Sequence, residues 1–258
     1  MNPHLEALRT TGRLPEQPAG ATLGVLILHG FTSSLDCVNG LVPYLEERQI
    51  PYEMPLLRGH GQTPEALIGV KAADWYQDAL DAFNRLAERV DRIVLVGLSM
   101  GGLVALNLCF QDHPCRSKIC GCITWAAALG FCNPLAFMAK FMSLFVKMWP
   151  GQESFNDPEC RKKCTNYDKF PADAFVELYQ YAKMTRKRLS DVEVPLCIIH
   201  SRKDQVVPYK TAEMLFDDCN SPYIERHALE KSGHELGQDC ECQTVFDISM
   251  AFIDKFVV

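Results

Sequence analysis

The feature that most constrains this fold is a short apolar run that leads directly into a glycine-rich turn and then into an apolar helical segment. Arg92–Val96 is the apolar run, residues 97–102 read GLSMGG, and Leu103–Gln111 has a helical pattern. A Gly-x-Ser-x-Gly turn between a strand and a helix lifts the serine hydroxyl above the edge of a sheet. The pattern therefore predicts that Ser99 is an exposed nucleophile. The alternative is an ordinary strand-to-helix turn that contains an incidental serine.

Apolar runs and helical segments alternate on both sides of this turn, from Gly24 to Trp125 and again from Val194 to Val258. This alternation is typical of a mainly parallel central sheet with helices on both faces. We therefore predict one α/β domain over residues 1–258. The expected strands are Gly24–Leu28, Pro51–Leu57, Arg92–Val96, Lys118–Trp125, Val194–His200 and Tyr223–Leu229. The expected helices are Val38–Arg48, Asp74–Arg89, Leu103–Gln111, Ala212–Cys219 and Val245–Phe256.

Residues 127–192 interrupt the alternation, because they contain no clear strand. The segment begins with a dense apolar stretch and continues into a charged helical stretch, Ala172–Arg188. We predict that residues 127–192 form a small helical cap inserted over the edge of the sheet.

Composition places the chain among soluble globular proteins. It has 258 residues, 48% of them hydrophobic, and a formal net charge of −6. Proteins that bind nucleic acid usually carry a basic patch, so we expect no nucleic-acid partner. The polar stretch Met1–Pro18 lacks the apolar core of a secretory signal. Lys140 and Lys147 interrupt the apolar stretch Trp125–Trp149, so we expect no stable membrane insertion.

Twelve cysteines are many for a chain with no predicted export signal. We expect reduced thiols and a cytoplasmic location. Only Cys160 and Cys164 have the spacing of a metal-binding pair, and no second pair accompanies them, so we expect no metal. Cys120 and Cys122 fall in a predicted strand, whose period of two predicts that both side chains point to the same face.

Several short motifs together resemble one known family. They are the HGF of residues 29–31 after the first strand, the RGHG of residues 58–61, the GLSMGG of residues 97–102, and Gly233-His234 near the C-terminus. In this order they resemble the α/β-hydrolases, especially compact bacterial carboxylesterases and monoacylglycerol lipases. The resemblance covers about residues 22–258. Ser33 and Ser201 stand where this group commonly has glycine, and neither position carries a required chemical group.

The resemblance implies a catalytic order of serine, acid and histidine along the chain. Of the seven histidines, His234 lies in the loop between the last predicted strand and the last helix, so we expect it to be the base. Asp204 follows the fifth predicted strand at its carboxyl end, where sites of parallel sheets lie. We therefore prefer it to Asp191, which precedes that strand. The alternatives are a loop histidine and a helix-capping aspartate without catalytic roles.

A tetrahedral intermediate needs backbone N–H donors. The resemblance implies that the N–H groups of Met100 and Phe31 supply them. His29 and Gly30 are expected to shape the loop that carries Phe31, and a direct catalytic role for His29 is the less favoured interpretation.

The apolar cap stretch Pro134–Trp149 leaves only a narrow polar stripe. We expect one side of it to line an acyl pocket and the other to pack on the core; a purely structural core is the alternative. An interfacial helix fits poorly, because only two cations lie on the polar stripe. The expected pocket residues are Phe137, Met138, Phe141, Met142 and Phe145.

The expected function is that of a serine carboxylic-ester hydrolase acting on small-molecule esters with short to medium acyl chains. One alternative is a monoacylglycerol lipase or lysophospholipase with a longer acyl pocket. Another is a non-catalytic binding protein of the hydrolase fold. The resemblance implies no cofactor.

Overall fold

The computed structural model describes residues 22–110, 112, 114 and 116–257. The expectation for Met1–Pro18 lies outside these residues, as do Gln111 and Cys115. The described strands are β1 (Leu23–Leu28), β2 (Tyr52–Glu53), β3 (Arg92–Leu98), β4 (Ile119–Trp125), β5 (Met148–Pro150), β6 (Lys169–Pro171), β7 (Leu196–Ser201) and β8 (Ile224–Leu229). The described α-helices are α1 (Val42–Glu47), α2 (Ala72–Ala87), α3 (Met100–Leu108), α4 (Ala139–Met142), α5 (Pro158–Arg161), α6 (Ala172–Arg186), α7 (Lys210–Asp218) and α8 (Cys242–Ile253).

Six strands form the central sheet in the order β2-β1-β3-β4-β7-β8, and every neighbouring pair is parallel. Side chains of β1 alternate between two hydrophobic cores: Leu26 and Leu28 enter one, and Val25 and Ile27 enter the other. A strand buried on both faces reads as a continuous apolar run, which explains the sequence of β1.

Helices cover both faces of this sheet. Trp75 of α2, Leu103 of α3 and Leu178 of α6 belong to one core. Leu45 of α1 and Phe252 of α8 belong to the other. The prediction of a mainly parallel sheet with helices on both faces is therefore confirmed. Within the described residues, no helix is both long and apolar enough to cross a bilayer.

Strand β2 is shorter than predicted. The sequence favours a strand over Pro51–Leu57, but only Tyr52–Glu53 pairs with β1. The backbone N–H of Leu57 donates instead to Nε2 of His29, 3.0 Å away. The His29 side chain, 28 residues earlier in the chain, thus accepts the backbone N–H of Leu57 in place of a strand partner.

The cap also differs from its prediction. The apolar stretch Pro134–Trp149, expected to be helical, begins as a 3₁₀ turn, Pro134–Met138, and continues as the short helix α4. Strands β5 and β6, which the sequence did not predict, pair antiparallel, with Trp149 opposite Phe170. Three-residue strands that each end at a proline carry too little periodicity to be recognised.

The prediction that Cys120 and Cys122 share a face is wrong. Cys122 lies in one core and Cys120 packs against the other. The register of β3 with β4 shifts between Ile93 and Val94, and such a bulge reverses the alternation of side chains. Every cysteine in the described ranges is a free thiol.

Candidate active site

Ser99 lies at the turn between β3 and α3 in a strained backbone conformation. Its φ is 55° and its ψ is −112°, a region that non-glycine residues rarely adopt. A Cβ atom on Gly97 would overlap the backbone of Gly101, and one on Gly101 would overlap the carbonyl of Leu28. Both glycines are therefore required by the close approach of α3 to the sheet.

Asp204 and His234 form a buried pair. Nδ1 of His234 lies 2.8 Å from Oδ2 of Asp204, and both residues are less than a tenth exposed. The other carboxylate oxygen of Asp204 accepts the N–H groups of Val206 and Val207, each at 2.8 Å. His200 approaches Oδ2 of the same carboxylate at 3.3 Å. The aspartate is thus held in one orientation.

The contact between His234 and Asp204 shifts the pKa of each residue. Burial alone would lower the pKa of His234, but the charge of Asp204 and its hydrogen bond raise it above the ordinary value. Burial alone would raise the pKa of Asp204, but His234 and His200 hold it well below the usual range. Because Nδ1 of His234 donates to an ionised carboxylate, Nε2 is the nitrogen left to accept a proton.

One cavity of about 680 Å³ joins the serine to the histidine. Ser99, His234 and Phe31 all line it, whereas Asp204 lies behind His234 and does not. Its volume is within the range of small-molecule sites. The structure therefore brings the predicted nucleophile, base and acid together at one end of the sheet.

The two expected backbone donors are at the same place. Met100 is the first residue of α3, so its N–H is among those that have no acceptor within the helix. Phe31 follows β1 and lines the cavity with Ser99. The Phe31 ring packs against Phe170 of the cap, with centroids 5.4 Å apart.

His29 is buried and shapes the loop. Its Nε2 accepts the N–H of Leu57 at 3.0 Å, and its Nδ1 therefore carries the proton and donates to the carbonyl of Gly30 at 2.9 Å. Burial lowers the pKa of His29 to about 4. His29 is not among the cavity-lining residues.

Most of the cap residues that the sequence predicted as the pocket wall do not line the cavity. Met142 lines the cavity, whereas Phe137 lines a second, separate pocket. Phe141 and Phe145 are 58% and 73% exposed and contact each other at 5.4 Å between ring centroids. Met138 is half-buried and does not line the cavity.

The helix geometry explains this division. Residues four apart share one face of a helical turn. Val146, four residues after Met142, also lines the cavity. The phenylalanines 141 and 145 occupy the neighbouring face, which points to solvent. The expectation that Phe137, Met138, Phe141 and Phe145 line the cavity is therefore wrong. Of the five expected pocket residues, only Met142 lies in its wall.

Sequence reasoning missed a polar end of the cavity. Asn166 and Glu235 both line it, and Nδ2 of Asn166 donates to Oε1 of Glu235 at 2.6 Å. Oε2 of Glu235 and Oδ1 of Asn166 are buried and have no partner among the described residues. Burial raises the pKa of Glu235. The only sequence signal was an acidic residue directly after the catalytic histidine candidate.

Three side chains of residue types that can bind metal ions lie close together on β7 and β8, outside the cavity. Ligand atoms of Cys197, Glu225 and His227 lie within 4.8 Å of one another. Glu225 already holds Lys255 in an ion pair and accepts the hydroxyl of Tyr223 at 2.6 Å. These partners account for the carboxylate without an ion.

Comparisons with known proteins decide the family. Residues 21–241 match the family described as serine aminopeptidase, S33. The chain belongs to this family. It is 24% identical to a carboxylesterase of Bacillus subtilis (strain 168), over 92% of this chain and 94% of the relative. It is 26% identical to a thermostable monoacylglycerol lipase of Bacillus sp. (strain H-257), over 95% and 96% respectively.

Solved structures agree with the fold. One described as belonging to the metagenome-derived lipolytic enzymes LipS and LipT matches with a TM-score of 0.86 and 29% identity, over 93% of this chain and 96% of that one. A soluble variant of monoglyceride lipase from Saccharomyces cerevisiae matches with a TM-score of 0.78 at 17% identity, over 94% and 90%. The family match and these relatives confirm the predictions of an α/β-hydrolase and of an ester hydrolase.

Proposed function

We propose that the protein hydrolyses carboxylic esters of short to medium acyl chains through an acyl-enzyme on Ser99. The observation that carries this proposal is the buried Asp204–His234 pair, which opens into the same cavity as the strained serine. A serine hydroxyl is a weak nucleophile and needs an adjacent base that a third group orients.

The steps follow from these positions. Nε2 of His234 takes the proton of Ser99 as Oγ attacks the ester carbonyl carbon, and the imidazolium is stabilised by Asp204. The N–H groups of Met100 and Phe31 stabilise the oxyanion. His234 then returns the proton to the alcohol as the C–O bond breaks. Water, activated by His234, releases the acid and restores Ser99.

Mutation of the nucleophile tests this mechanism. We expect Ser99→Ala to lower kcat/KM for p-nitrophenyl butyrate at least about 10³-fold, because only binding and the oxyanion donors remain. The control is Ser143→Ala on the cap. The Ser143 hydroxyl donates a hydrogen bond to the carbonyl of Lys140 and does not line the cavity. If Ser99→Ala kept more than about a tenth of the activity, Ser99 would not be the nucleophile.

A second candidate substrate is an ester of a polyhydroxyl alcohol, such as a monoacylglycerol. The buried, unpartnered oxygens of Glu235 and Asn166 at the polar end favour it. His234 protonates the leaving alcohol, and Glu235 lines the same cavity with one carboxyl oxygen, Oε2, that has no partner among the described residues. This oxygen can accept a hydrogen bond from a hydroxyl of the alcohol.

This candidate predicts discrimination between alcohols. We expect Glu235→Ala to lower kcat/KM for glyceryl monodecanoate about tenfold more than for methyl decanoate, since only glycerol presents further hydroxyls. Glu159→Gln, an exposed change on α5, is the matched control. Equal losses for both esters would exclude a role in alcohol recognition.

We also infer that the protein acts in the cytoplasm. The support is its twelve cysteines, which suit a reducing compartment. Thiol titration of protein purified without reductant and then denatured should recover most of them. Recovery of only a few free thiols would contradict this location.

A further inference from the structure

A second pocket adjoins the catalytic cavity on the far side of Phe131 and Asn133. Both residues line the catalytic cavity and the second pocket, which has a volume of about 390 Å³. The second pocket lies between the start of the cap, helix α6 and the start of helix α7.

Most of this wall is apolar. Leu129, Ala136 and Ala182 are buried there, and Phe137 and Met214 lie closer to solvent. Phe137, which is 69% exposed, is a cap phenylalanine that lines this second pocket and not the catalytic cavity. Such a wall suits a hydrocarbon chain, because burying apolar surface on both partners is favourable.

Two cations line the same pocket, and no carboxylate does so among the described residues. They are Arg186, half-buried in the last turn of α6, and Lys210, exposed at the first residue of α7. Neither is in an ion pair within the described ranges. Arg188, two residues further along, shows the contrast: it binds both Asp112 and Asp191 at 2.8 Å.

Lys210 is the first residue of α7 and therefore lies at the N-terminal end of that helix. The N-terminus of a helix carries partial positive charge, so a cation there is unfavourable unless an anion is nearby. Glu213, one turn along α7, does not form an ion pair with Lys210. An anionic group between α6 and α7 would be attracted by Lys210, Arg186 and the end of α7 together.

We propose that this second pocket binds an amphiphile with an anionic head and a hydrocarbon chain, and that the carboxylate of a released fatty acid is its occupant. Ester hydrolysis produces this chemistry at Ser99, in the cavity that shares the wall of Phe131 and Asn133. The head would lie at Arg186 and Lys210, and the chain against Ala182 and Phe137.

Binding of octanoate to protein whose catalytic cavity is blocked tests the proposal. The cavity is first filled by covalent reaction of Ser99 with a long-chain alkyl fluorophosphonate, and octanoate is then titrated by calorimetry. We expect binding to persist in the blocked protein. Arg186→Gln and Lys210→Gln should each weaken it about tenfold, the loss typical of one charge-assisted contact.

The controls separate charge recognition from other effects. Lys183→Gln changes a cation on the same helix α6 outside the pocket and should leave the affinity unchanged. Octanol, which has the same chain without the charge, should bind more weakly than octanoate. Raising the salt concentration to about 1 M should weaken octanoate binding, because it screens exposed cations.

Four results would overturn the proposal. They are loss of octanoate binding when Ser99 is blocked, equal affinity for octanol, unchanged affinity in both Arg186→Gln and Lys210→Gln, and no detectable binding. If the fluorophosphonate did not label Ser99, the serine mechanism would fail instead. The charge variants, measured on unblocked protein, would still test the second pocket independently.

Discussion

Because Met142 lies in the cavity wall and its neighbour Phe141 faces solvent, we expect Met142 to determine the preference for acyl-chain length and Phe141 to have no effect on it. Met142 lines the cavity that Ser99 and His234 share, whereas Phe141 is 58% exposed and outside it. Replacing Met142 with alanine removes about three heavy atoms and makes room for about two further methylenes of substrate. At about 0.8 kcal/mol for each buried methylene, the gain is about 1.6 kcal/mol. This corresponds to about a 15-fold rise in the ratio of long-chain to short-chain kcat/KM.

The assay compares p-nitrophenyl decanoate with p-nitrophenyl acetate for Met142→Ala and Phe141→Ala. In Phe141→Ala the ratio should change by less than about twofold, as for other surface substitutions. Acetate turnover should stay near wild type in both variants, because Ser99, Asp204 and His234 lie on loops of the sheet. An unchanged ratio in Met142→Ala, or equal changes in both variants, would refute the division of the cap.

Three further predictions concern the site and the core. The rising limb of kcat/KM with pH should have its midpoint above the ordinary histidine pKa of 6.5, because Asp204 raises the pKa of His234. In Asp204→Asn this midpoint should move to lower pH. A wild-type midpoint below pH 6.5 would contradict the pairing of His234 with Asp204. Gly97→Ala should lower kcat/KM about 10²-fold by displacing α3. The comparison is Gly69→Ala: a Cβ there meets no atom within 4 Å, so the φ of 79° should cost stability while kcat/KM of the folded protein stays unchanged. The exposed thiols Cys132 and Cys240 should react with a thiol reagent in the native protein, and reaction of buried thiols at the same rate would argue against this packing.

The sequence predicted those strands and turns whose residues are set by their immediate surroundings. A strand buried on both faces must be a continuous apolar run, so β1, β3 and β7 were visible in the sequence. The turn at Ser99 was visible because only glycine tolerates the contact between α3 and the sheet.

Contacts between distant segments explain what the sequence could not predict. The shortness of β2 depends on His29, and the opposite faces of Cys120 and Cys122 depend on a bulge in the pairing of two strands. The walls of the two pockets depend on how the cap packs, which an apolar stretch does not specify. The burial of Glu235 was unexpected for the same reason, because carboxylates are usually exposed.

The acid and base of the candidate site came from the order of motifs that resemble the α/β-hydrolases. Local patterns placed Asp204 and His234 after strands, and the resemblance selected them among competing carboxylates and histidines. Their 2.8 Å contact depends on β7 and β8 being neighbours in the sheet, since the two residues follow those strands.

Covalent labelling tests whether Ser99 is the nucleophile that His234 and Asp204 activate. The protein is incubated with an ethyl fluorophosphonate, digested and analysed by mass spectrometry while residual esterase activity is followed. We predict one adduct per chain, on the peptide that contains Ser99, formed at the rate at which activity is lost. An adduct on another residue, or full activity in protein completely labelled at Ser99, would contradict the role of Ser99 as nucleophile.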